Sequence, residues 1–217
     1  MSIRILLADD HGIIRQGIRL LLEKEEDIEV IAEAADGREV LNLTRELKPD
    51  VVIMDISMPN LNGVDATYQL VREFNKVKVI ALSIHSSRQF VTDMLKAGAS
   101  GYLLKECLAD ELVRAIRTVT SGDVYLSPKA ASTVVDNYVK HVLPETEGET
   151  KSLTEREREV LQLVAEGKST KQIAAELHVS DKAIEATRRK IMEKIGVHSV
   201  AEMTKYAIRE GLTSLES

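Results

Sequence analysis

Val51-Val52-Ile53-Met54-Asp55-Ile56-Ser57-Met58-Pro59 is an apolar run that closes on a carboxylate and then on a turn. A run of Val, Ile and Met without polar alternation is the pattern of a strand buried on both faces. Three other stretches repeat the plan. Ile3-Arg4-Ile5-Leu6-Leu7 leads to Asp9-Asp10, Val77-Lys78-Val79-Ile80-Ala81-Leu82 leads to Ser83, and Gly101-Tyr102-Leu103-Leu104 leads to Lys105. Acids, a hydroxyl and a base therefore stand at the ends of four separate strands. In an open parallel sheet such ends converge on one crevice, where ligands bind.

Outward from these runs, strand-like and amphipathic helical stretches alternate to about Thr120. Strands are predicted near 3–8, 28–33, 50–54, 77–82 and 100–104, and helices near 11–24, 37–47, 63–73, 87–97 and 108–119. Five such units predict an α/β, doubly wound, five-stranded parallel sheet, with helices on both faces and right-handed crossovers that constrain the strand order. Ser127-Pro128 opens a further helix to about His141. Leu143-Pro144-Glu145-Thr146-Glu147-Gly148-Glu149-Thr150 has no periodicity and reads as a flexible acidic linker.

Beyond the linker the period is helical throughout. Thr154/Glu157, Ser169/Gln172 and Ser199/Glu202 each have the spacing of a capping box, and Ser180 followed by Asp181 suits a fourth helix start. Gly167, Gly196 and Gly211 sit where C-terminal caps belong. Four helices are predicted near 155–166, 170–177, 181–195 and 200–210. Only His178-Val179-Ser180 separates the second from the third, the spacing of a helix-turn-helix. On the third, Ile184, Ile191 and Ile195 share one face, while Lys182, Glu185, Ala186, Arg189 and Glu193 share the other, flanked by Arg188 and Lys190. A helix lying in a major groove reads base edges with such side chains while neighbouring cations neutralise phosphates. The division is thus 1–122 for the sheet domain, 123–151 for a connecting helix and linker, and 152–217 for an all-α, four-helix domain.

A chain of 217 residues accommodates one medium and one small domain. The formal charge of −6 is unevenly spread: residues 1–150 carry 17 basic and 24 acidic side chains, and residues 151–217 carry 12 and 11. DNA contact must then rest on the cluster Arg188-Arg189-Lys190 rather than on a general positive field. The single cysteine, Cys107, provides neither a bridge nor a thiolate cage and is read as a small filler. With no apolar stretch near 18 residues and no basic-then-apolar leader, a cytoplasmic protein without membrane contact is expected.

Three carboxylates within a few ångströms would repel one another and call for a cation. Mg²⁺ suits them, since it prefers oxygen ligands, keeps several waters and needs only one or two carboxylates beside a phosphoryl oxygen. Asp10 and Asp55 are the expected direct ligands, with Asp9 acting through water and the backbone carbonyl of Ser57 completing the set. Lys105 would pair with one phosphoryl oxygen and the Ser83 hydroxyl would donate to another.

Leu-Leu-Ala-Asp-Asp-His at 6–11, Asp-Ile-Ser-Met-Pro at 55–59 with Gly63, Ala-Leu-Ser at 81–83 and Gly-Tyr-Leu-Leu-Lys at 101–105 resemble a response-regulator receiver domain over residues 3–119. Leu-Thr-Glu-Arg-Glu-Arg-Glu-Val-Leu at 153–161, Ile-Ala at 173–174 and Met-Glu-Lys-Ile-Gly-Val at 192–197 resemble the LuxR-type DNA-binding domain of the NarL/FixJ subfamily over 152–211. The resemblance implies a two-component transcriptional regulator with a flavodoxin-like receiver. Asp55 would accept a phosphoryl group from a sensor histidine kinase, with Mg²⁺ present. Ser83 would move toward that group and Tyr102 would turn inward into the space vacated.

In the second domain the resemblance assigns base-edge contacts to Glu185, Ala186 and Arg189, and backbone contacts to Lys182, Thr187, Arg188 and Lys190. Ala183-Ile184 and Thr187 depart from the family's frequent Thr-Val and His, which removes a hydroxyl and an imidazole contact. So small a module binds double-stranded DNA usefully as a homodimer on half-sites about one helical turn apart, so dimerisation is expected in the active form. His85, two residues beyond Ser83, is read either as a ring over the phosphoryl group that affects its lifetime or as an exposed loop histidine.

Two other functions fit parts of the pattern. An aspartyl-nucleophile phosphatase usually carries a second acid two residues after the nucleophile, and Ser57 stands there instead, so no general acid is placed for a leaving alcohol. A phosphate-sensing module acting only by protein contact would fit the weak charge of the second domain. Salt-dependent binding to duplex DNA separates it from a transcription factor.

Overall fold

The computed structural model describes residues 2–84, 88–106, 109–142 and 153–213. His85, Cys107 and the 143–150 linker lie outside the described residues. The first domain runs β1 (Ile3–Ala8), α1 (Gly12–Leu22), β2 (Ile28–Ala34), α2 (Gly37–Leu47), β3 (Val51–Asp55), α3 (Gly63–Glu73), β4 (Lys78–Ser83), α4 (Arg88–Lys96), β5 (Gly101–Leu104) and α5 (Ala109–Thr120). These strands pair in parallel in the order β2-β1-β3-β4-β5. Every residue of β3 is buried, as its unbroken apolar run requires.

Alternate residues of each central strand feed two cores. Leu6, Val52, Met54 and Ala81 pack with Val40, Leu70, Val91 and Met94 from α2, α3 and α4. Ile5, Leu7, Ile53, Ile80 and Leu82 pack with Ile18, Leu22, Leu112, Ile116 and Val119 from α1 and α5. The period-two alternation of side chains divides one strand's residues between the two helical layers.

One element extends the expected five-stranded sheet. Tyr125–Leu126 forms a sixth parallel strand, β6, on the β5 edge, pairing Gly101 with Tyr125 and Tyr102 with Leu126. Two residues are too few to display a period, and this strand exists only because β5 offers its backbone: Tyr125 N–H donates to Ser100 O and Ser127 N–H donates to Tyr102 O. Helix α6 (Pro128–Val142) follows.

The second domain comprises α7 (Glu155–Ala165), α8 (Thr170–Glu176), α9 (Asp181–Ile195) and α10 (Val200–Arg209) around a core of Val160, Leu161, Ile173, Ile184, Ile191 and Met203. Thr154 and Ser169 close full capping boxes with Glu157 and Gln172. Ser199 caps Glu202 N–H as expected, but the Glu202 carboxylate takes its return bond from His198 N–H, one residue earlier. Gly196 ends α9 in the left-handed region at φ 68°.

Glu157 does more than cap. It is 3% exposed, accepts from Thr154 N–H, and its Oε2 lies 2.6 Å from Lys194 Nζ, tying α7 to α9. Burial alone would push its carboxyl up, but Lys194 and the capping hydrogen bonds outweigh that and draw its pKa down to about 2. A folded-state value below the ordinary one contributes stability above pH 4.5 that is lost as pH falls toward 2. Glu157→Gln is expected to lower unfolding stability at pH 7 by up to about 3 kcal/mol, and the gap in denaturant melts should close on acidification. A gap independent of pH would assign the effect to lost packing instead.

Candidate functional site

The chain order of the sheet reverses between β1 and β3, whose crossovers leave to opposite faces, and the carboxyl ends of strands open a crevice at such a point. Asp9, Asp55, Ser83 and Lys105 all stand there. Lys105 Nζ lies 2.6 Å from Asp9 Oδ2 and 2.9 Å from Asp55 Oδ2, so one ammonium bridges two buried carboxylates. Asp55 Oδ1 accepts from Ile56 N–H at 2.8 Å. Gly63 is what lets the following loop fold back so tightly: a Cβ there would sit 1.9 Å from Asp55 O, and Gly63 N–H donates to Ile56 O.

Asp55 is 5% exposed, and burial raises its pKa from 3.8 to about 6; Lys105 opposes the shift and Asp9 adds to it. Burial also works against charge on Lys105, but Asp55 and Asp9 hold its ammonium above the ordinary value. At neutral pH the crevice therefore contains an ionised carboxylate that is poorly solvated and weakly compensated, a state poised to accept cations or a bond to an electrophile.

The other edges of the acids face His11 and Asp10. Ligand atoms of Asp9, Asp10, His11 and Asp55 all lie within 4.8 Å of one another. Asp10 Oδ1 is buried and receives no well-aligned hydrogen bond among the described residues, although His11 Nδ1 lies 2.7 Å away. An acceptor left in that condition beside two further carboxylates fits a hard divalent cation. Ser57, half-buried, lies two residues past Asp55 on the same loop.

Ser83 and Tyr102 are also brought together. Tyr102 is fully buried and shares a hydrogen bond with Ser83, and burial drives its phenol up to about 12. The inward position expected of Tyr102 only after activation is the one this structure contains.

Helix α9 separates its faces as the periodicity predicts. Ile184 and Ile191 are buried, while Lys182, Glu185, Ala186, Arg189, Lys190 and Glu193 are exposed. Three of the expected backbone contacts are partly engaged within the domain: Thr187 Oγ1 donates to Ala183 O, Arg188 Nη1 donates to Thr170 Oγ1 on α8, and Lys190 Nζ lies 3.5 Å from Glu157 Oε1 on α7. The three-residue turn before α9 places His178 at φ 53°, a left-handed position that reverses the chain between α8 and α9.

What the periodicity did not reveal is a polar joint between the domains. Gln162 of α7 is fully buried; its Oε1 accepts from Asn62 N–H and Asn62 Nδ2–H, and its Nε2 donates to Met58 O at 3.0 Å and to Glu166 Oε1. All four hydrogen-bonding positions of the amide are used. Arg158 Nε donates to Asp65 Oδ1 at 3.0 Å, Arg38 Nη2 donates to Glu159 Oε1, and Lys168 Nζ donates to Asn60 Oδ1. At the far end Gly211, at φ 69°, lies so close to the Phe90 ring that a Cβ would sit 1.6 Å from it. The loop gripped by Gln162 is the one that leaves Asp55. The available sequence signal was a polar residue inside the apolar run Leu161-Gln162-Leu163-Val164.

Comparison with known proteins agrees with this geometry. The response regulator receiver domain family matches residues 5–117, and the family of bacterial regulatory proteins, luxR family, matches residues 151–207. The transcriptional regulatory protein DegU of Brevibacillus brevis is 37% identical across 97% of this chain and 94% of its own. The oxygen regulatory protein NreC of Staphylococcus aureus is 38% identical across 96% and 98%. Among solved structures, RcsB from Salmonella enterica serovar Typhimurium, bound to promoter P1flhDC in the presence of phosphomimetic BeF3⁻, shares 26% identity and a TM-score of 0.61 across 98% of this chain and all of that one.

Proposed function

The chain belongs to the two-component response regulators of the NarL/FixJ subfamily, and from that premise we propose that Asp55 is its phosphoacceptor and α9 its DNA-reading helix. Residues 1–122 form the receiver, 123–151 the connection and 152–217 the DNA-binding domain. The protein is a DNA-binding transcriptional regulator, and its expected partners are a sensor histidine kinase, double-stranded DNA and a second copy of itself. Among the described residues no helix is long and apolar enough to cross a membrane, and the cytoplasm is its proposed place of action.

One observation carries this assignment: a nearly buried carboxylate at the end of β3, with Lys105 2.9 Å away and Asp9 on the same ammonium. An Asp55 oxygen attacks the phosphorus of a phosphorylated imidazole; the new P–O bond forms as the P–N bond breaks, and the imidazole leaves to take a proton. Lys105 lies where its ammonium can pass to a phosphoryl oxygen, and Ser83 can turn its hydroxyl from Tyr102 to another. Asp9, Asp10, Asp55 and the Ser57 carbonyl would hold Mg²⁺, which supplies neutralisation of the charge gathered by the carboxylates and the transferring group. Ser57 stands where an aspartyl-nucleophile phosphatase usually carries its second acid, so the usual group for protonating a leaving alcohol is missing, which disfavours a phosphatase.

The exposed side of α9 supports base-edge contacts from Glu185, Ala186 and Arg189 and phosphate contacts from Lys182 and Lys190, with half-buried Thr187 and Arg188 beside them as further phosphate contacts. The test is selection of duplex DNA by the full chain with and without a small-molecule phosphodonor, followed by titration against salt. Donor-stimulated, salt-dependent binding to a repeated half-site is expected. Binding indifferent to donor and to salt would favour the protein-contact module. Arg189→Ala should weaken the selected site about 10- to 100-fold and relax its sequence preference. Equal weakening on every sequence would make Arg189 a phosphate contact.

A further inference from the structure

His11 occupies the residue before α1, with φ −88° and ψ 103°, yet its side chain caps nothing. Instead the half-exposed ring turns to the carboxylates: Nδ1 lies 2.7 Å from Asp10 Oδ1 and 3.3 Å from Asp9 Oδ1. Lys105 already meets Oδ2 of Asp9 and of Asp55, so the two nitrogen groups approach the acids from different edges. Asp10 Oδ1, buried and without a well-aligned hydrogen bond among the described residues, lies on the side of the ring.

Adjacent ligands of a six-coordinate ion at about 2.1 Å stand about 3.0 Å apart. The Nδ1 separations bracket that value, so the ring stands one ligand's width from both carboxylates. The backbone fixes part of this arrangement, because His11 N–H donates to Asp9 Oδ1 at 2.8 Å.

We propose that His11 Nδ1 is a ligand of the divalent ion held by Asp9, Asp10 and Asp55, tilting this crevice from Mg²⁺ toward ions that favour nitrogen, such as Co²⁺. The proposal rests on the ion site described above. Oxygen donors alone favour Mg²⁺, whereas an imidazole adds affinity for later divalent ions in the first transition row. Where the ring carries a proton, that proton leaves to solvent as the ion takes the lone pair.

The test uses the full chain and its His11→Ala variant. Calorimetric titration with Co²⁺ and with Mg²⁺ should show Co²⁺ affinity falling about tenfold or more in the variant while Mg²⁺ affinity holds or rises. Pulsed electron paramagnetic resonance of the Mn²⁺-loaded parent, grown with ¹⁵N-histidine, should show a nitrogen coupling that is absent from the variant. Mn²⁺ bound without that coupling, or equal loss of Co²⁺ and Mg²⁺, would overturn the role of His11 and leave the carboxylate site standing. Failure of the parent to bind any of the three ions would overturn both.

Discussion

Asp55→Asn is expected to take no phosphoryl group from a phosphorylated kinase or a small-molecule donor, and to unfold at a higher temperature than the parent at neutral pH in a chelator. The first effect follows from chemistry: an amide oxygen is no nucleophile toward phosphorus, and among the described residues Asp55 is the carboxylate that meets both Ile56 N–H and Lys105. Radiolabel or mass shift should fall below detection. Full labelling of the variant would move the acceptor elsewhere and remove the basis of the proposed function.

The second effect follows from the raised pKa. Folded Asp55 titrates at about 6 instead of 3.8, so the folded state holds its proton more tightly than the unfolded chain. Ionised Asp55 therefore costs stability above pH 6, a cost that shrinks between pH 6 and 4 and vanishes below. The shift corresponds to up to about 3 kcal/mol at neutral pH. Asparagine removes it, and Lys105 keeps Asp9 at 2.6 Å as its counter-charge. The gain should be full at pH 7.5 and absent near pH 4, and added Mg²⁺ should narrow it by stabilising the parent. A variant less stable than the parent at pH 7.5 would mean that the Lys105–Asp55 pair outweighs the burial of its charge.

Gln162→Leu should separate the two domains. Leucine fills a similar volume but leaves Asn62 N–H, Asn62 Nδ2–H and Met58 O without their partner. A buried polar group so orphaned costs about 1–3 kcal/mol, so the loss shifts the docked state toward the open one by about a hundredfold. Small-angle scattering should report a larger radius of gyration, and amide exchange near Asn62 should quicken. Unchanged scattering would show that the apolar contact of Gly211 with Phe90 and the flanking ion pairs suffice.

Its effect on DNA binding should be smaller, because the outward side of α9 is already exposed in the docked arrangement. Half-site affinity is expected to change only about two- to threefold. A rise comparable with the domain opening would mean that the receiver obstructs duplex approach after all. Because Met58 and Asn62 lie between Asp55 and α3, the same variant should also alter Mg²⁺ affinity at the crevice, as reciprocity between coupled binding equilibria requires.

The strand ends, the helix caps and the two faces of α9 were legible in the residues because each is a local or periodic property. Buried strands must be apolar throughout, a helix start must satisfy its free N–H groups, and a helix packed on one side shows its period. Strand β6 was not legible, since two residues have no period and Tyr125–Leu126 becomes a strand only beside β5. Nor was the turn of Tyr102, whose burial beside Ser83 depends on its packing with Val91 and Met94 of α4, which no sequence spacing encodes.

By itself the sequence determined which groups gather in the crevice, because four strands of one parallel sheet must deliver their ends to a common edge. The tertiary structure alone decided the partners across elements: Lys105 bridging Asp9 and Asp55, His11 turned onto Asp10, and Gln162 fastened to the loop beyond Asp55. Such contacts are set by distances between segments far apart in the chain. A residue's own neighbours carry no record of them.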